Sequence, residues 1–116
     1  MTSLLARSVK ATLSDLFPNT QIKEEIYVNH RGQKLFFDFF LDTPFKIYIE
    51  VQGSQHTEFS PFFHQDASAF NAQKKRDKLK QEWCALEDVG LIAINYDEIP
   101  ISPEALLEKI KATQNG

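Results

Sequence analysis

Residues 34–53, KLFFDFFLDTPFKIYIEVQG, decide how this chain folds. The runs KLFFDFFLD and FKIYIEVQG read as two strands, and Asp42-Thr43-Pro44 between them is a compact hairpin connection. Both runs are apolar on both faces, which suits central strands covered on each side rather than an exposed meander. Each nevertheless carries one acid in its middle, Asp38 in the first and Glu50 in the second. Antiparallel pairing about the turn can bring these two close, on one face of the sheet. Among Phe36, Phe40 and Tyr48 they would repel one another and lose hydration unless something positive lay between them. A hard divalent cation, magnesium with manganese as its substitute, takes such oxygen ligands. The competing reading is an acid that points outward or pairs with a lysine.

The remaining elements arrange themselves around this hairpin. SLLARSVKATLSDLF reads as an amphipathic helix, with Leu4, Leu5, Val9, Leu13 and Leu16 or Phe17 at three- and four-residue spacing. Ser3 or Thr2 caps it and Pro18 stops it. QIKEEIYVN is a short strand with Ile22, Ile26 and Val28 as its apolar positions, and HRGQ turns around Gly32. Past the hairpin, Gln55 to Phe63 is loop-like, and a long helix spans about Gln65 to Asp88 with Gly90 as its C-cap. Ala72, Leu79, Trp83 and Leu86 are its expected buried stripe. LIAINY is a further buried strand, and EALLEKIKA, capped by Ser102, closes the chain as a second amphipathic helix. The order α-β-β-β-α-β-α predicts an α/β fold, a mixed central sheet flanked by helices on both faces.

At 116 residues the chain is one domain, 1–116, because two cores would leave about 58 residues each. With 42% hydrophobic and 25% charged residues, wholesale disorder is excluded. No apolar run reaches bilayer-spanning length, and no secretory leader is read at the start, so no membrane partner is expected. The single cysteine, Cys84, can make neither an internal disulfide nor a four-ligand zinc site, which fits a reducing compartment. Its helical setting beside Trp83 marks it as a small core residue rather than a nucleophile. A net charge of −3 means that any contact with nucleic acid must come from a local patch.

Gln52 lies two residues after Glu50 and so projects to the same face, Gly53 permits a tight exit, and Gln55-His56 follow. The string from Asp38 through Glu50-Val51-Gln52-Gly53-Ser54-Gln55-His56 resembles the active-site signature of the PD-(D/E)XK nuclease superfamily. It is most similar to the branch of very-short-patch-repair-like endonucleases and related phage and homing nucleases. There an IEVDGSQH-like segment follows the acidic strand and an RD pair recurs on the next helix; this chain has IEVQGSQH and then Arg76-Asp77. The element order matches as well, and the likeness covers about residues 2 to 99.

The resemblance implies a restriction-endonuclease-like core and metal-dependent hydrolysis of a DNA phosphodiester, with Asp38 and Glu50 binding magnesium. The family's usual lysine position holds Gln52, which can orient a water but carries no charge. Lys80 and Lys34 are candidate substitutes, and His56 is a candidate general base. The family often adds an acid from the N-terminal region, where Glu24 and Glu25 stand; parity with Ile22 and Ile26 favours Glu24 as the inward one and a further metal ligand. A protein of this kind is expected in the cytoplasm of a prokaryote or in a phage-like setting. It would work as a homodimer or beside a separate DNA-recognition module, because 116 residues leave little room for sequence-specific recognition.

Finally, KKRDKLK at 74–80 holds Lys74, Lys75, Arg76, Lys78 and Lys80, five of the chain's 13 basic residues. Such a run is often only a solvated helix face, but a phosphate backbone is an apt partner for it. Asp77 shares a helical face with Gln73, Lys74 and Lys80, so the helix can aim an acid and bases together at the sheet. Two functions remain in view: a magnesium-dependent DNA endonuclease, or a nuclease-fold module that holds DNA or a protein partner without cutting, which Gln52 favours.

Overall fold

Ser3 opens the first helix by accepting the Ala6 amide on its hydroxyl at 3.1 Å, and Ser102 does the same for the last through Ala105 at 3.1 Å. Between these caps, a computed structural model describes residues 3–53 and 67–114. The elements are α1 (Leu4–Leu16), β1 (Ile22–His30), β2 (Gln33–Leu41), β3 (Ile47–Gln52), α2 (Ala67–Leu86), β4 (Gly90–Asn95) and α3 (Pro103–Gln114), with a short 3-10 turn at Tyr96–Glu98 before α3. The order is the one read from the sequence. The expected loop at Gln55–Phe63 and the start of the long helix at Gln65 lie outside the described residues.

The four strands form one mixed sheet in the order β1-β2-β3-β4. β1, β2 and β3 pair antiparallel, and β4 joins β3 in parallel after the crossover through α2. Both faces are covered, as the doubly apolar β2 and β3 require. α1 and α3 close one face over Val9, Leu13, Phe39, Ile49, Ile94, Leu106 and Ile110. α2 closes the other over Leu35, Phe37 and Cys84, with Tyr48, Leu79 and Trp83 beside them. No helix among the described residues is long and apolar enough to cross a membrane.

One ribbon contributes to both cores. In β2 every second residue is buried (Leu35, Phe37, Phe39, Leu41), yet the first two pack under α2 and the last two under α1 and α3. The ribbon therefore turns over between Phe37 and Phe39, at Asp38. Facing it on β1 is Glu25, skipped in the otherwise regular register and left-handed at φ 54°. This kink corrects the expectation for Glu24. Alternation placed it inward with Ile22 and Ile26, but the left-handed residue beside it breaks the alternation, and Glu24 is exposed.

The helix α2 departs from its expected stripe. Ala72 is exposed and Leu86 is 68% exposed; the residues buried against the sheet are Lys80 and Cys84, with Leu79 and Trp83 half-buried. An apolar stripe was the wrong template because the sheet offers a buried carboxylate, Glu50, for Lys80 to meet. Leu4, placed on the apolar face of α1, is likewise 80% exposed. Gly90 is not the helix cap either. Asp88 takes the left-handed position at φ 56°, Val89 donates back to the Cys84 carbonyl at 3.0 Å, and Gly90 already begins β4. Its lack of a side chain serves packing, since a Cβ there would lie 2.9 Å from Thr113 Oγ1 and 3.3 Å from Ile47 Cγ1.

The β1–β2 turn needs two positive φ angles, Arg31 at 52° and Gly32 at 77°, as a two-residue hairpin does. His30 and Arg31 both reach Glu82 on α2, so the tip of the hairpin is clasped to the helix.

Candidate functional site

The β2–β3 ladder pairs Leu41 with Ile47, Phe40 with Tyr48 and Phe39 with Ile49, and there it stops. The next facing positions are Asp38 and Glu50, the two acids singled out in the sequence. Instead of a backbone pair, the Asp38 carboxylate accepts the Val51 amide at 2.8 Å. Asp38 thus reaches back to β3 at the residue after Glu50, but it borders the cleft on the α1 side, whereas Glu50 lies on the α2 side, so the two acids do not open onto one face as expected.

Glu50 is 7% exposed, on the α2 side of β3. Lys80, 8% exposed, comes down from α2 and ion-pairs with Glu50 Oε1. Its ammonium also lies 5.6 Å from the centroid of the Phe37 ring. Burial pushes the Glu50 carboxyl above the ordinary range, the Lys80 ammonium pulls it down, and the charges of Asp77 and Asp38 push it up again. The charges of Lys80, Asp77 and Asp38 thus all bear on the Glu50 carboxyl, and Asp77 and Lys80 stand one helical turn apart on the same face of α2.

This cluster opens into a cleft of about 460 Å³ lined by Glu50, Gln52, Asp77, Gln81, Cys84 and the start of β4. A second cleft of about 550 Å³ runs on past Gln52, Asp77 and Gln81 to Lys74, Lys78 and Asn95. Gln52 does share Glu50's side of the sheet, and it borders both clefts. The second cleft, with its amides, Asp77 and two lysines, lies at the carboxyl ends of the parallel strands β3 and β4, a position that α/β sheets commonly give to ligands.

Other expected site residues are placed differently. Glu24 ion-pairs with Lys10 of α1 at 2.7 Å, and it shares a small cleft of about 120 Å³ with Glu25, Asp38 and Phe36 on the α1 side. Lys34 lies at the far end of the hairpin, 4.6 Å over the Tyr27 ring. Lys75 and Arg76 are exposed on α2, as are Lys74 and Lys78 at the cleft's rim. Gln55 and His56 lie outside the described residues. Among the described residues, no three His, Cys, Asp or Glu side chains gather as a ready metal cage. Cys84 is 2% exposed and its thiol is pushed up to about 12, by burial first and then by the Glu50 charge, so it offers no nucleophile. Gln81 went unnoticed in the sequence; its spacing of four from Asp77 was the available signal.

No family model matches the chain, and no solved structure matches it. Over 66 residues it is 39% identical to uncharacterized protein 307L of invertebrate iridescent virus 6, covering 57% of this chain and 33% of that protein. Over 48 residues it is 40% identical to uncharacterized protein 033L of invertebrate iridescent virus 3, covering 41% of this chain and 25% of the relative. The matches thus span a third or less of these curated relatives.

Proposed function

We propose that this chain is a metal-dependent DNA endonuclease with a restriction-endonuclease-like core, in which the lysine absent at Gln52 comes from the helix as Lys80. The observation that carries this reading is the buried Lys80–Glu50 pair facing Asp38. Two carboxylates at adjacent strand positions suit a hard divalent ion, since magnesium needs only one or two protein carboxylates and keeps several waters. Asp38 and Glu50 would hold magnesium or manganese. Such an ion supplies Lewis acidity at the scissile phosphate.

This chain's own residues do the rest. The Lys80 ammonium provides the positive charge that the transition state needs and that Gln52 lacks. Gln52, on the same side as Glu50, positions the attacking water through its amide. Lys74 and Lys78 at the cleft rim, with Lys75 and Arg76 beyond them, neutralise backbone phosphates. A homodimer or a separate module supplies target recognition.

A second reading has its own support. Lys80 already neutralises Glu50, and the signature lysine is missing, as suits a module that binds DNA or a protein partner without cutting. Supercoiled plasmid incubated with the purified protein in magnesium, manganese or chelator separates the two. Metal-dependent nicking that Lys80→Ala abolishes is expected; binding without nicking in either metal would establish the second reading.

A further inference from the structure

We infer that Asp77 and Gln81 of α2 read a base in the second cleft and select one that carries an exocyclic amino group, adenine or cytosine, over thymine. This deepens the nuclease reading and rests on it: the chain has a one-base preference beside the cut before a dimer or a separate module adds to it. The floor of the cleft is the last rung of the parallel ladder, Gln52 beside Asn95, and its wall is one face of α2. Asp77 and Gln81 stand four residues apart on that wall, and both also line the first cleft with Glu50.

The hydrogen-bonding groups select the occupant. Among the described residues, neither the Asp77 carboxylate nor the Gln81 amide has a hydrogen-bond partner. The pair therefore offers two acceptor oxygens next to an amide that both donates and accepts. Adenine matches this set, because its N6 amino group gives hydrogens and its N7 takes one; cytosine gives hydrogens from N4. Thymine presents its O4 oxygen at that place. An acceptor then faces a carboxylate, and the groups of the site are left unpaired.

The charges admit a nucleotide. Lys80 answers Glu50, so the two clefts are left with the Asp77 carboxylate against the ammoniums of Lys74 and Lys78. Lys74 already lies 5.3 Å over the Phe70 ring. Lys78 is exposed and has no ion-pair partner among the described residues, so it is the one left for a phosphate. Asp97 and Glu98 follow Asn95 in the chain but line neither cleft. At about 550 Å³ the second cleft has the size of a small-ligand site. Ala93 is its one apolar side chain among the described residues, which suits a base and its phosphate better than an apolar segment of protein.

The test uses the full chain and short single-stranded oligonucleotides of deoxyadenosine, deoxycytidine or thymidine alone. Binding is measured in chelator, so it does not depend on cutting, and plasmid nicking in magnesium is followed separately. The wild type should bind the adenine and cytosine strands roughly 5- to 150-fold more tightly than the thymine strand, the scale of one well-made base contact. These strands also differ in stacking, so the variants decide. Asp77→Asn keeps the shape and adds a donor for O4, and it should bring the thymine strand close to the other two, whatever it does to affinity as a whole. Gln81→Ala should lose most on the adenine strand, and Lys78→Gln should weaken all three alike. The assignment is overturned if the wild type shows no preference or prefers thymine, or if Asp77→Asn leaves the ratio as it was. Base preference in chelator without nicking supports the assignment and removes only the nuclease reading. Nicking without base preference removes only the assignment.

Discussion

Asp38 Oδ2 accepts the backbone N–H of Val51 at 2.8 Å, one position past the end of the β2–β3 ladder. A side chain of β2 does there what its backbone does for the rest of the pairing. The acid is thereby held to the residue that follows Glu50.

Asp38→Ala should therefore cost stability as well as activity. It removes the acceptor of a partly buried amide, a loss of about 1–3 kcal/mol. Asp38→Asn keeps an oxygen for Val51 and should lose much less stability while still losing metal-dependent cleavage. Urea midpoints of the two variants decide this, and equal midpoints would refute the structural role.

The Glu50–Lys80 pair should behave as a unit. Removing either partner leaves the other charge buried and alone, at a cost of about 3–5 kcal/mol. Replacing both, Glu50→Gln with Lys80→Met, should recover most of that loss because no uncompensated charge remains. A double-mutant cycle measures the coupling. Additive losses would mean that the pair is not formed in solution.

The pH dependence of stability has a definite sign. Glu50 is raised above its ordinary value of 4.5 by burial first, so the folded chain holds that proton more tightly than the unfolded chain. Stability from this group is greatest below the unfolded value and falls as pH rises toward the folded one, levelling off above it. Glu50→Gln should remove that fall. Denaturation midpoints over about pH 4–8 for both proteins check it, and parallel curves would contradict it.

Gln52→Lys should not raise cleavage. With Lys80 already on Glu50, a second ammonium in the same cleft adds repulsion, so the variant should match or trail the wild type. Lys80→Ala should lose on the order of 10²–10³ in rate. A large gain from Gln52→Lys would show instead that the position usual for lysine is empty in function.

Lys75 and Lys78 are exposed on α2. Their joint replacement by Gln should weaken binding to all DNA sequences alike. It should also lower the salt slope of affinity by up to about one unit for each charge removed. An unchanged slope would return the run to a solvated helix face.

The α/β class, the element order and the serine cap of α3 are legible in the sequence, but the facing of Asp38 with Glu50 is not: a three-residue turn at Asp42-Thr43-Pro44 sets Asp38 opposite Tyr48, and only the observed pairing of Leu41 with Ile47 sets it opposite Glu50. The legible features depend on short-range signals: the doubly apolar runs, and a hydroxyl three residues before its amide. The companions of the acids were less legible. Lys80 stood in the sequence as one of two substitute lysines, and only the approach of α2 to the sheet separated it from Lys34, which lies at the far end of the hairpin. The inward Glu24 failed because one left-handed residue, Glu25, reverses an alternation that any period-two reading assumes. The buried stripe on α2 failed for a related reason: helical periodicity detects apolar residues, while this helix is held at its centre by a lysine. A buried charge is stable only beside its partner, and that partner lies 30 residues away in the chain. Local sequence set the strands and caps; long-range packing alone decided which charges meet.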